Sequence, residues 1–263
     1  MNLEKITDQV IDLSKNTGHY ILSEWEKLSG QNIQTKGLND FVTYVDKTSE
    51  KKLVKGLNEI LPEAGFIVEE QTTKDEGQDY KWIVDPLDGT TNYIHGITPF
   101  SISIALRRNE ETIFGLVHEL GHNEIFHAHE GGAAFLNGKK INVSGIDTIK
   151  ESIIATGFPY NDFSRLNNYL KSLDYFMRNS HGIRRLGSAA TDLAYTACGR
   201  FEAFYEYSLK PWDVAAGSFI LKQAGGKVSD FNGGDNYLFG QEIVAASNGV
   251  FDEFLATIKK YSV

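Results

Sequence analysis

The chain has 263 residues, of which 41% are hydrophobic and 23% are charged, as is typical of a globular protein with a substantial core. Its formal net charge of −9 argues against a nucleic-acid partner, because a phosphate backbone attracts basic surfaces. Its single cysteine, Cys198, excludes an intramolecular disulfide and is expected to be a buried structural thiol. No apolar run approaches the ~20 residues that span a bilayer, so we expect a cytoplasmic protein without a membrane partner.

Hydrophobic periodicity organises the first 80 residues. Apolar residues that recur at spacings of three and four predict helices, and β-branched runs bounded by turn residues predict strands. In chain order, the predicted elements are a helix over 3–21 that ends by Gly30, a loop entering a short strand over 35–44, a helix over 46–60, a strand over 63–70 and a polar loop over 72–80.

The seven residues from Asp85 to Thr91 read Asp-Pro-Leu-Asp-Gly-Thr-Thr and follow a predicted strand over 81–84. They place two carboxylates, Asp85 and Asp88, on the expected turn, and Gly89 lets the backbone approach a ligand closely. Carboxylates beside free backbone N–H groups suit a hard divalent cation that itself binds a phosphate. Taken alone, the segment is also compatible with an Asx-type turn capped by two aspartates.

Acidic residues in two further segments favour the metal-binding interpretation. Glu69 and Glu70 end a short apolar strand, and Asp213 begins an apolar helix, where an ordinary N-cap is the alternative. Together with Asp85 and Asp88, these carboxylates supply enough oxygen ligands for two or three Mg²⁺ ions. Hard cations of this kind prefer carboxylate, carbonyl and water oxygens to sulfur or imidazole.

From residue 101 onward, alternating hydrophobicity predicts an antiparallel sheet covered by the first two helices. Its strands are expected over 101–106, 112–118, 123–129 and 133–136, with a hairpin turn at Asn137-Gly138. A second unit is expected to contain strands over 152–156, 182–185, 227–228 and 243–246, and helices over 165–177, 188–198, 214–223 and from residue 251. We therefore expect stacked α and β layers, with an N-terminal unit over 1–147 that carries most metal ligands and a C-terminal unit over 148–263 that supplies Asp213 and the substrate-side residues.

The pentapeptide His-Glu-Leu-Gly-His at 118–122 matches the H-E-x-x-H pattern of zinc metalloproteases, in which a helix presents both imidazoles one turn apart. Its context argues against a helix, because strand-like residues flank it and Gly121 would cost a helix about 1 kcal/mol. We predict a hairpin turn instead. His118 and His122 would then lie away from the acidic residues, with at most incidental metal binding at the surface.

Several blocks of this sequence resemble the inositol monophosphatase family of Mg²⁺-dependent, lithium-sensitive sugar phosphatases. The blocks are Val-Thr-Tyr-Val-Asp at 42–46, Glu69-Glu70, residues 82–92, Gly-Phe-Pro-Tyr at 157–160, and residues 185–190 and 212–217. The resemblance covers most of the chain. It implies an α/β (α+β) fold layered as an α-β-α-β-α sandwich, a small phosphate ester as substrate, and a homodimer.

The resemblance also implies roles for individual residues. The implied metal ligands are Glu69, Asp85 and the Leu87 carbonyl for one Mg²⁺ ion, Asp85, Asp88 and Asp213 for a second, and Glu70, through water, for a third. Thr90, with either Glu69 or Asp46, would activate the attacking water. The implied substrate contacts are Gly89, Thr90 and Thr91 at the phosphate, and Ser188, Ala189 and Glu206 at the ring hydroxyls.

The alcohol half of the substrate is less closely specified than the phosphate. A carboxylate such as Glu206 can accept hydrogen bonds from two vicinal hydroxyls, although a solvated strand carboxylate is the alternative. Thr91-Asn92 stands where the nucleotidase branch of the family usually has Lys-Glu, which favours inositol 1-phosphate or a related polyol or sugar phosphate. Fructose 1,6-bisphosphate, histidinol phosphate and 3′(2′),5′-bisphosphate nucleotides are the alternatives, since Arg184 and Arg185 could contact a second phosphate. A non-catalytic regulator is a further hypothesis.

Overall fold

The computed structural model describes residues 1–25, 27, 33–37, 40–73, 79–160 and 162–262. The helices of this part of the chain are α1 (Leu3–Trp25), α2 (Tyr44–Ile60), α3 (Thr90–Ile94), α4 (Leu166–Asn179), α5 (Ala189–Ala197), α6 (Pro211–Gln223) and α7 (Phe251–Ser262). Its strands are β1 (Ile33–Gly37), β2 (Asp40–Thr43), β3 (Gly65–Val68), β4 (Tyr80–Asp88), β5 (Ser101–Arg108), β6 (Glu111–Glu119), β7 (Glu124–His129), β8 (Phe135–Leu136), β9 (Lys139–Lys140), β10 (Ile153–Thr156), β11 (Gly182–Arg184), β12 (Ala203–Tyr207), β13 (Lys227–Ser229) and β14 (Glu242–Ala246).

A sheet in the order β3-β4-β5-β6-β7-β8-β9 organises the N-terminal half of the fold. The pairs from β4 to β9 are antiparallel, as the alternating sequence predicts, but β3 runs parallel to β4. The antiparallel sheet predicted from residue 101 onward is confirmed, whereas the parallel pairing of β3 with β4 was not predicted, because a local pattern does not encode strand direction. Since parallel strands end at the same edge of a sheet, Glu69, just after β3, lies beside Asp85 near the end of β4.

Three apolar clusters stack the elements into layers. Helices α1 and α2 cover the outer face of the first sheet, where Val10, Leu53 and Trp82 are fully buried. Helices α5 and α6 lie between this sheet and a second one in the order β11-β10-β12-β14-β13, and small side chains such as Ala190 and Ala216 let them fit there. Helices α4 and α7 cover the far face of the second sheet. The layers follow the order α-β-α-β-α, which confirms the predicted fold class.

Several predicted element boundaries are corrected by the structure. Residues 35–37, expected in a loop, belong to β1 and pair with β2, and α6 begins at Pro211 rather than at residue 214. The sequence pattern missed β12, an inner strand of the second sheet, because all five of its residues are buried and so do not alternate. Gly30 and residues 74–78 of the expected polar loop lie outside the described residues.

The H-E-x-x-H segment forms a hairpin turn between β6 and β7, as predicted. The carboxylate of Glu119 is buried and closes the turn by accepting the N–H groups of Gly121 at 2.9 Å and His122 at 2.7 Å. The side chain of His122 is 61% exposed, whereas His118 is 3% exposed and lies against Gly18 of α1. Surface metal binding is therefore ruled out for His118, and the two imidazoles do not share a helix face as a metalloprotease requires.

In the described ranges, no helix is both long enough and apolar enough to cross a membrane. Cys198 is partly exposed rather than fully buried, because it caps the C-terminal end of α5. Burial still raises the pKa of its thiol, which keeps it in the unreactive protonated form.

Candidate active site

A bulge in β4 turns Asp85 and Asp88 toward the same face of the sheet. Asp85 pairs with Ser103 of β5 and Asp88 pairs with Ser101, so β4 holds one residue more than β5 between the two pairs. The extra residue shifts the alternation of side chains, and Pro86 is tolerated there because a bulge interrupts the ladder of hydrogen bonds. The predicted turn is thus part of a strand. The Asx-type bond is nevertheless present, from the N–H two residues on to Asp85 Oδ1 at 2.9 Å.

Asp213 approaches this pair from α6. Carboxylate oxygens of Asp85, Asp88 and Asp213 all lie within 4.8 Å of one another. Asp213 is the third residue of α6, and its Oδ2 accepts the backbone N–H of Lys210 at 2.7 Å. The alternative of an ordinary N-cap is therefore wrong, since Lys210 is the N-cap, but Asp213 completes a capping box that fixes the orientation of the carboxylate that joins the cluster.

Burial and mutual repulsion raise the pKa of these carboxyl groups. For Asp85, burial is the main cause, followed by the charges of Glu69 and Asp88. Burial raises the pKa of Asp88 to about 6, although hydrogen bonds from the Ser188 hydroxyl and the Ala190 backbone N–H oppose this increase. Burial and then the charge of Asp88 raise the pKa of Asp213. A cation would stabilise carboxylates that repel one another, and an all-oxygen set of donors fits a hard divalent ion such as Mg²⁺.

After β4 the chain turns sharply into the short helix α3. Gly89 has a φ of 88°, and a Cβ at this position would come within 3.1 Å of the Pro99 carbonyl oxygen, so the turn requires glycine. Thr90 Oγ1 lies 3.0 Å from Asp46 Oδ1 and 3.0 Å from the carbonyl oxygen of Leu87. Asp46, in the first turn of α2, is only 1% exposed. A hydroxyl has one proton, so Thr90 can donate to only one of these oxygens at a time.

The N-terminal end of α5, which belongs to the C-terminal half of the chain, holds the carboxylate of Asp88 in place. Ser188 is the N-cap of α5, and its Oγ donates to Asp88 Oδ2 at 2.6 Å. The backbone N–H of Ala190 donates to the same oxygen at 2.9 Å. The side chain of Ser188 is thus engaged by a carboxylate, whereas the family resemblance implied a contact with a ring hydroxyl. Ala189, between them, lines the cavity.

Glu206 enters the cavity from β12. It is 8% exposed, so the alternative of a solvated carboxylate is wrong. Burial raises the pKa of Glu206 to about 8, and the positive charge of Arg185 opposes this. A Cβ on Gly157 would lie 1.9 Å from Glu206 Cδ, so the absence of a side chain there leaves room for the carboxylate. Arg185 donates to the hydroxyl of Tyr160 and lies 5.4 Å from the centre of the Phe158 ring.

A cavity of about 510 Å³ joins these groups. The predicted site residues that line it are Glu69, Asp85, Leu87, Asp88, Gly89, Thr90, Thr91, Ser188, Ala189, Glu206 and Asp213. Asp46 contacts Thr90 from outside the cavity lining. Glu70 also lies outside the lining, and its backbone N–H donates to Glu50 Oε2 at 2.6 Å. Sequence reasoning did not assign Tyr160 to the site, and its place in a block typical of the family was the only available signal.

Comparison with known proteins places the chain in a family. A model of the inositol monophosphatase family matches residues 2–262. The chain is 38% identical over 257 residues to a Pseudomonas aeruginosa protein named Nus factor SuhB, covering 94% of this chain and 93% of that protein. It is 34% identical over 252 residues to the inositol-1-monophosphatase of Mesorhizobium japonicum, with 95% of each covered. The solved structure of Thermotoga maritima IMPase matches with a TM-score of 0.89 and 32% identity over 98% of each chain.

The layered fold and its acidic cavity are therefore those of a phosphatase. The chain belongs to the inositol monophosphatase family.

Proposed function

We propose that the protein is a Mg²⁺-dependent phosphomonoesterase that hydrolyses inositol 1-phosphate or a related polyol or sugar phosphate. The observation that carries this proposal is the meeting of Asp85, Asp88 and Asp213 in one cavity with Glu206. The three aspartates offer a site for cations, and Glu206 offers acceptors for hydroxyl groups. The cavity volume of about 510 Å³ suits a small ligand.

Oxygen atoms alone would hold the metal ions. The proposed ligands are Glu69, Asp85 and the Leu87 carbonyl for the first ion, Asp85, Asp88 and Asp213 for the second, and Glu70 for a third. Glu70 lies outside the cavity lining, so it would act through water. Bound Mg²⁺ supplies charge neutralisation at the phosphoryl oxygens, a lower pKa for the attacking water and stabilisation of the leaving oxygen.

Thr90 is proposed to orient the attacking water. The 3.0 Å contact between Thr90 Oγ1 and Asp46 Oδ1 supports this role, because a hydroxyl that donates to a carboxylate has lone pairs free to accept from water. The proton released by the water would pass to Asp46 through Thr90, or to Glu69, which lines the cavity. The backbone N–H groups of Gly89, Thr90 and Thr91 are proposed to bind the phosphate oxygens.

At the other end of the cavity, Glu206 and the backbone of Ala189 are proposed to bind ring hydroxyls. With its pKa raised to about 8 by burial, Glu206 can both accept and donate hydrogen bonds near neutral pH. Ser188 would contribute indirectly, because its hydroxyl holds Asp88 at 2.6 Å. Thr91-Asn92, in place of the Lys-Glu typical of the nucleotidase branch, supports a polyol rather than a nucleotide.

Two other functions have a specific observation in their favour. Arg185 lines the cavity, which supports a substrate with a second phosphate, such as fructose 1,6-bisphosphate or a 3′(2′),5′-bisphosphate nucleotide; histidinol phosphate is a further candidate. The name Nus factor, given to the Pseudomonas aeruginosa relative, favours a binding role that uses the fold without hydrolysis. A homodimer, a cytoplasmic location and the division into units over 1–147 and 148–263 belong to the proposal as well.

The decisive experiment is phosphate release from a panel of esters, with and without Mg²⁺, by the wild-type protein and by Asp88→Asn. We expect Mg²⁺-dependent release, and a loss of several orders of magnitude in Asp88→Asn, because the second ion stabilises the leaving oxygen. Asp12→Asn, at an exposed position on α1, is the matched control and should be fully active. Near-normal turnover by a folded Asp88→Asn variant, verified by circular dichroism, would refute the proposal.

A further inference from the structure

We propose that Ser101 and Ser103 are positioning residues that align the proposed metal-binding carboxylates across the layers of the fold. Neither serine lines the cavity, and the family resemblance implies no role for either. The inference rests on the proposed function, because it assumes that Asp85, Asp88 and Asp213 bind a cation. It concerns how carboxylates from distant parts of the chain are brought to one point and held there.

The register of the first sheet places each serine opposite one carboxylate. On β5, Ser101 is the partner of Asp88, and Ser103 is the partner of Asp85. Residues two apart on a strand face the same side, so both hydroxyls point toward the layer that contains α5 and α6. Ile102, between them, belongs to the apolar cluster on the opposite face. Both serines are buried, with 0% and 1% of their surface exposed.

The hydroxyl of Ser101 extends the contact that holds Asp88. Ser101 Oγ lies 3.2 Å from Ser188 Oγ, which donates to Asp88 Oδ2 at 2.6 Å. Ser188 has one proton, and an ionised carboxylate can only accept, so this proton is committed to Asp88. The contacts of Ser188 Oγ with Ser101 Oγ at 3.2 Å and with Thr191 Oγ1 at 2.7 Å are therefore ones in which Ser188 accepts, and Ser101 and Thr191 donate. A hydrogen bond received by a hydroxyl strengthens the one it donates, so Ser101 both orients Ser188 and polarises it toward the carboxylate.

The hydroxyl of Ser103 similarly binds the backbone at the start of α6. Ser103 Oγ donates to the Trp212 carbonyl oxygen at 2.9 Å, and Trp212 immediately precedes Asp213. On its other side, Asp213 is tied to the backbone N–H of Lys210 at 2.7 Å. The backbone that carries Asp213 is thus bound to the strand that neighbours β4. The two serines set the start of α5 and the start of α6 against the same short stretch of β5.

Metal affinity depends on ligand spacing, and partners behind the ligands typically change affinity 10–100-fold when they are removed. We expect Ser101→Ala and Ser103→Ala each to weaken Mg²⁺ binding about tenfold, the lower end of that range, because both serines act through another group. Ser101→Thr and Ser103→Thr keep the hydroxyl and should restore the affinity. Ser152→Ala is the matched control, since Ser152 is also buried and donates to a backbone carbonyl, that of Thr148 at 2.7 Å, away from the cavity lining.

The test is calorimetric titration of the metal-stripped proteins with Mg²⁺, together with the Mg²⁺ dependence of phosphatase activity. The expected result is a dissociation constant about tenfold higher for the alanine variants, near wild type for the threonine and Ser152→Ala variants, with kcat recovered at saturating Mg²⁺. Unchanged affinity in the alanine variants would overturn the inference. Weakened binding in the threonine variants as well would overturn it too, because packing rather than the hydroxyl would then be the cause.

Failure of the proposed function has a different signature. In that case the wild-type protein would bind no Mg²⁺ in the same titration, and Asp88→Asn would behave as wild type does. If the wild type binds Mg²⁺ and Asp88→Asn does not, while the serine variants bind as tightly as wild type, then the metal site is correct and only the positioning role of Ser101 and Ser103 is wrong.

Discussion

Replacing Glu206 should separate recognition of the alcohol from chemistry at the phosphate. Glu206 is 8% exposed on β12 and faces the cavity, so a ligand hydroxyl that reaches it is shielded from water. Removing a hydrogen-bond partner there leaves a buried polar group unsatisfied, at a cost of about 1–3 kcal/mol. At about 1.4 kcal/mol for each factor of ten, Glu206→Ala should lower kcat/KM for inositol 1-phosphate roughly tenfold to a hundredfold. Hydrolysis of a simple aryl phosphate, which has no ring hydroxyls, should change little.

The assay compares kcat/KM for both esters in wild type, Glu206→Ala and a matched control. Glu202→Ala is that control, because Glu202 is 4% exposed just before β12 and accepts the Ile153 N–H at 2.6 Å, away from the cavity lining. Its loss should affect stability and both substrates alike. Equal losses on the two substrates in Glu206→Ala would refute the reasoning and place Glu206 in the fold or near the metals. Better catalysis on a nucleotide 3′-phosphate than on any polyol phosphate would favour the nucleotidase alternative.

A second variant perturbs Glu206 without removing it. The Cβ of Gly157→Ala would lie 1.9 Å from Glu206 Cδ, far inside van der Waals contact, so the carboxylate must move. We expect the same substrate-selective loss as in Glu206→Ala. A Gly157→Ala variant that discriminates between the esters as wild type does would show that the position of this carboxylate is not what recognises the alcohol.

Three further predictions concern the hairpin, the second metal position and pH. His122→Ala and His118→Ala should keep phosphatase activity, although the second should lower the unfolding temperature because its ring is buried; loss of stoichiometric zinc in either would contradict the hairpin assignment. Lithium should inhibit at millimolar concentration by competing at Asp88 and Asp213, and steady-state inhibition against Mg²⁺ measures this. Burial raises the pKa of Glu206 from 4.5 in the unfolded chain to about 8 in the folded protein. The contribution of protonated Glu206 to the free energy of unfolding is therefore complete below pH 4.5 and is lost as the pH rises from 4.5 to about 8. In thermal unfolding without metal, Glu206→Gln should reduce the decrease in unfolding temperature over this pH range. An unchanged dependence of the unfolding temperature on pH would contradict this prediction.

The chemistry of the site was largely predictable from local sequence. Asp85, Asp88 and Gly89 lie close together in the chain, and together with the acidic residues at 69 and 213 they indicate a hard cation, although the roles of individual residues were implied only by the family resemblance. The helices α1 and α2 and the hairpins of the first sheet were predicted for a similar reason, since amphipathic periodicity and Asn-Gly turns are local signals.

What could not be predicted depends on contacts between distant parts of the chain. The parallel pairing of β3 with β4 carries Glu69 to Asp85, and no local pattern specifies strand direction. Strand β12 was missed because burial on both faces removes alternation, so the sequence left a solvated carboxylate open as the alternative role of Glu206. The engagement of Ser188 with Asp88 depends on how two layers stack. Alternation predicted β5 itself, but it did not predict that the side of this strand that carries the serines faces the interior.

The bulge at Pro86 explains why Asp85 and Asp88, three residues apart, face the same cavity. In a regular strand, two side chains on one face are an even number of residues apart, so a pair separated by three would point to opposite layers. Here Leu87 faces the outer apolar cluster, while Asp85 and Asp88 both face the cavity. Deleting one residue between the aspartates would restore regular pairing between β4 and β5, but it would remove the Leu87 side chain from the core. Inserting one residue would enlarge the bulge. The odd interval between Asp85 and Asp88 is therefore compatible with a shared cavity only because the bulge shifts the alternation of side chains between them.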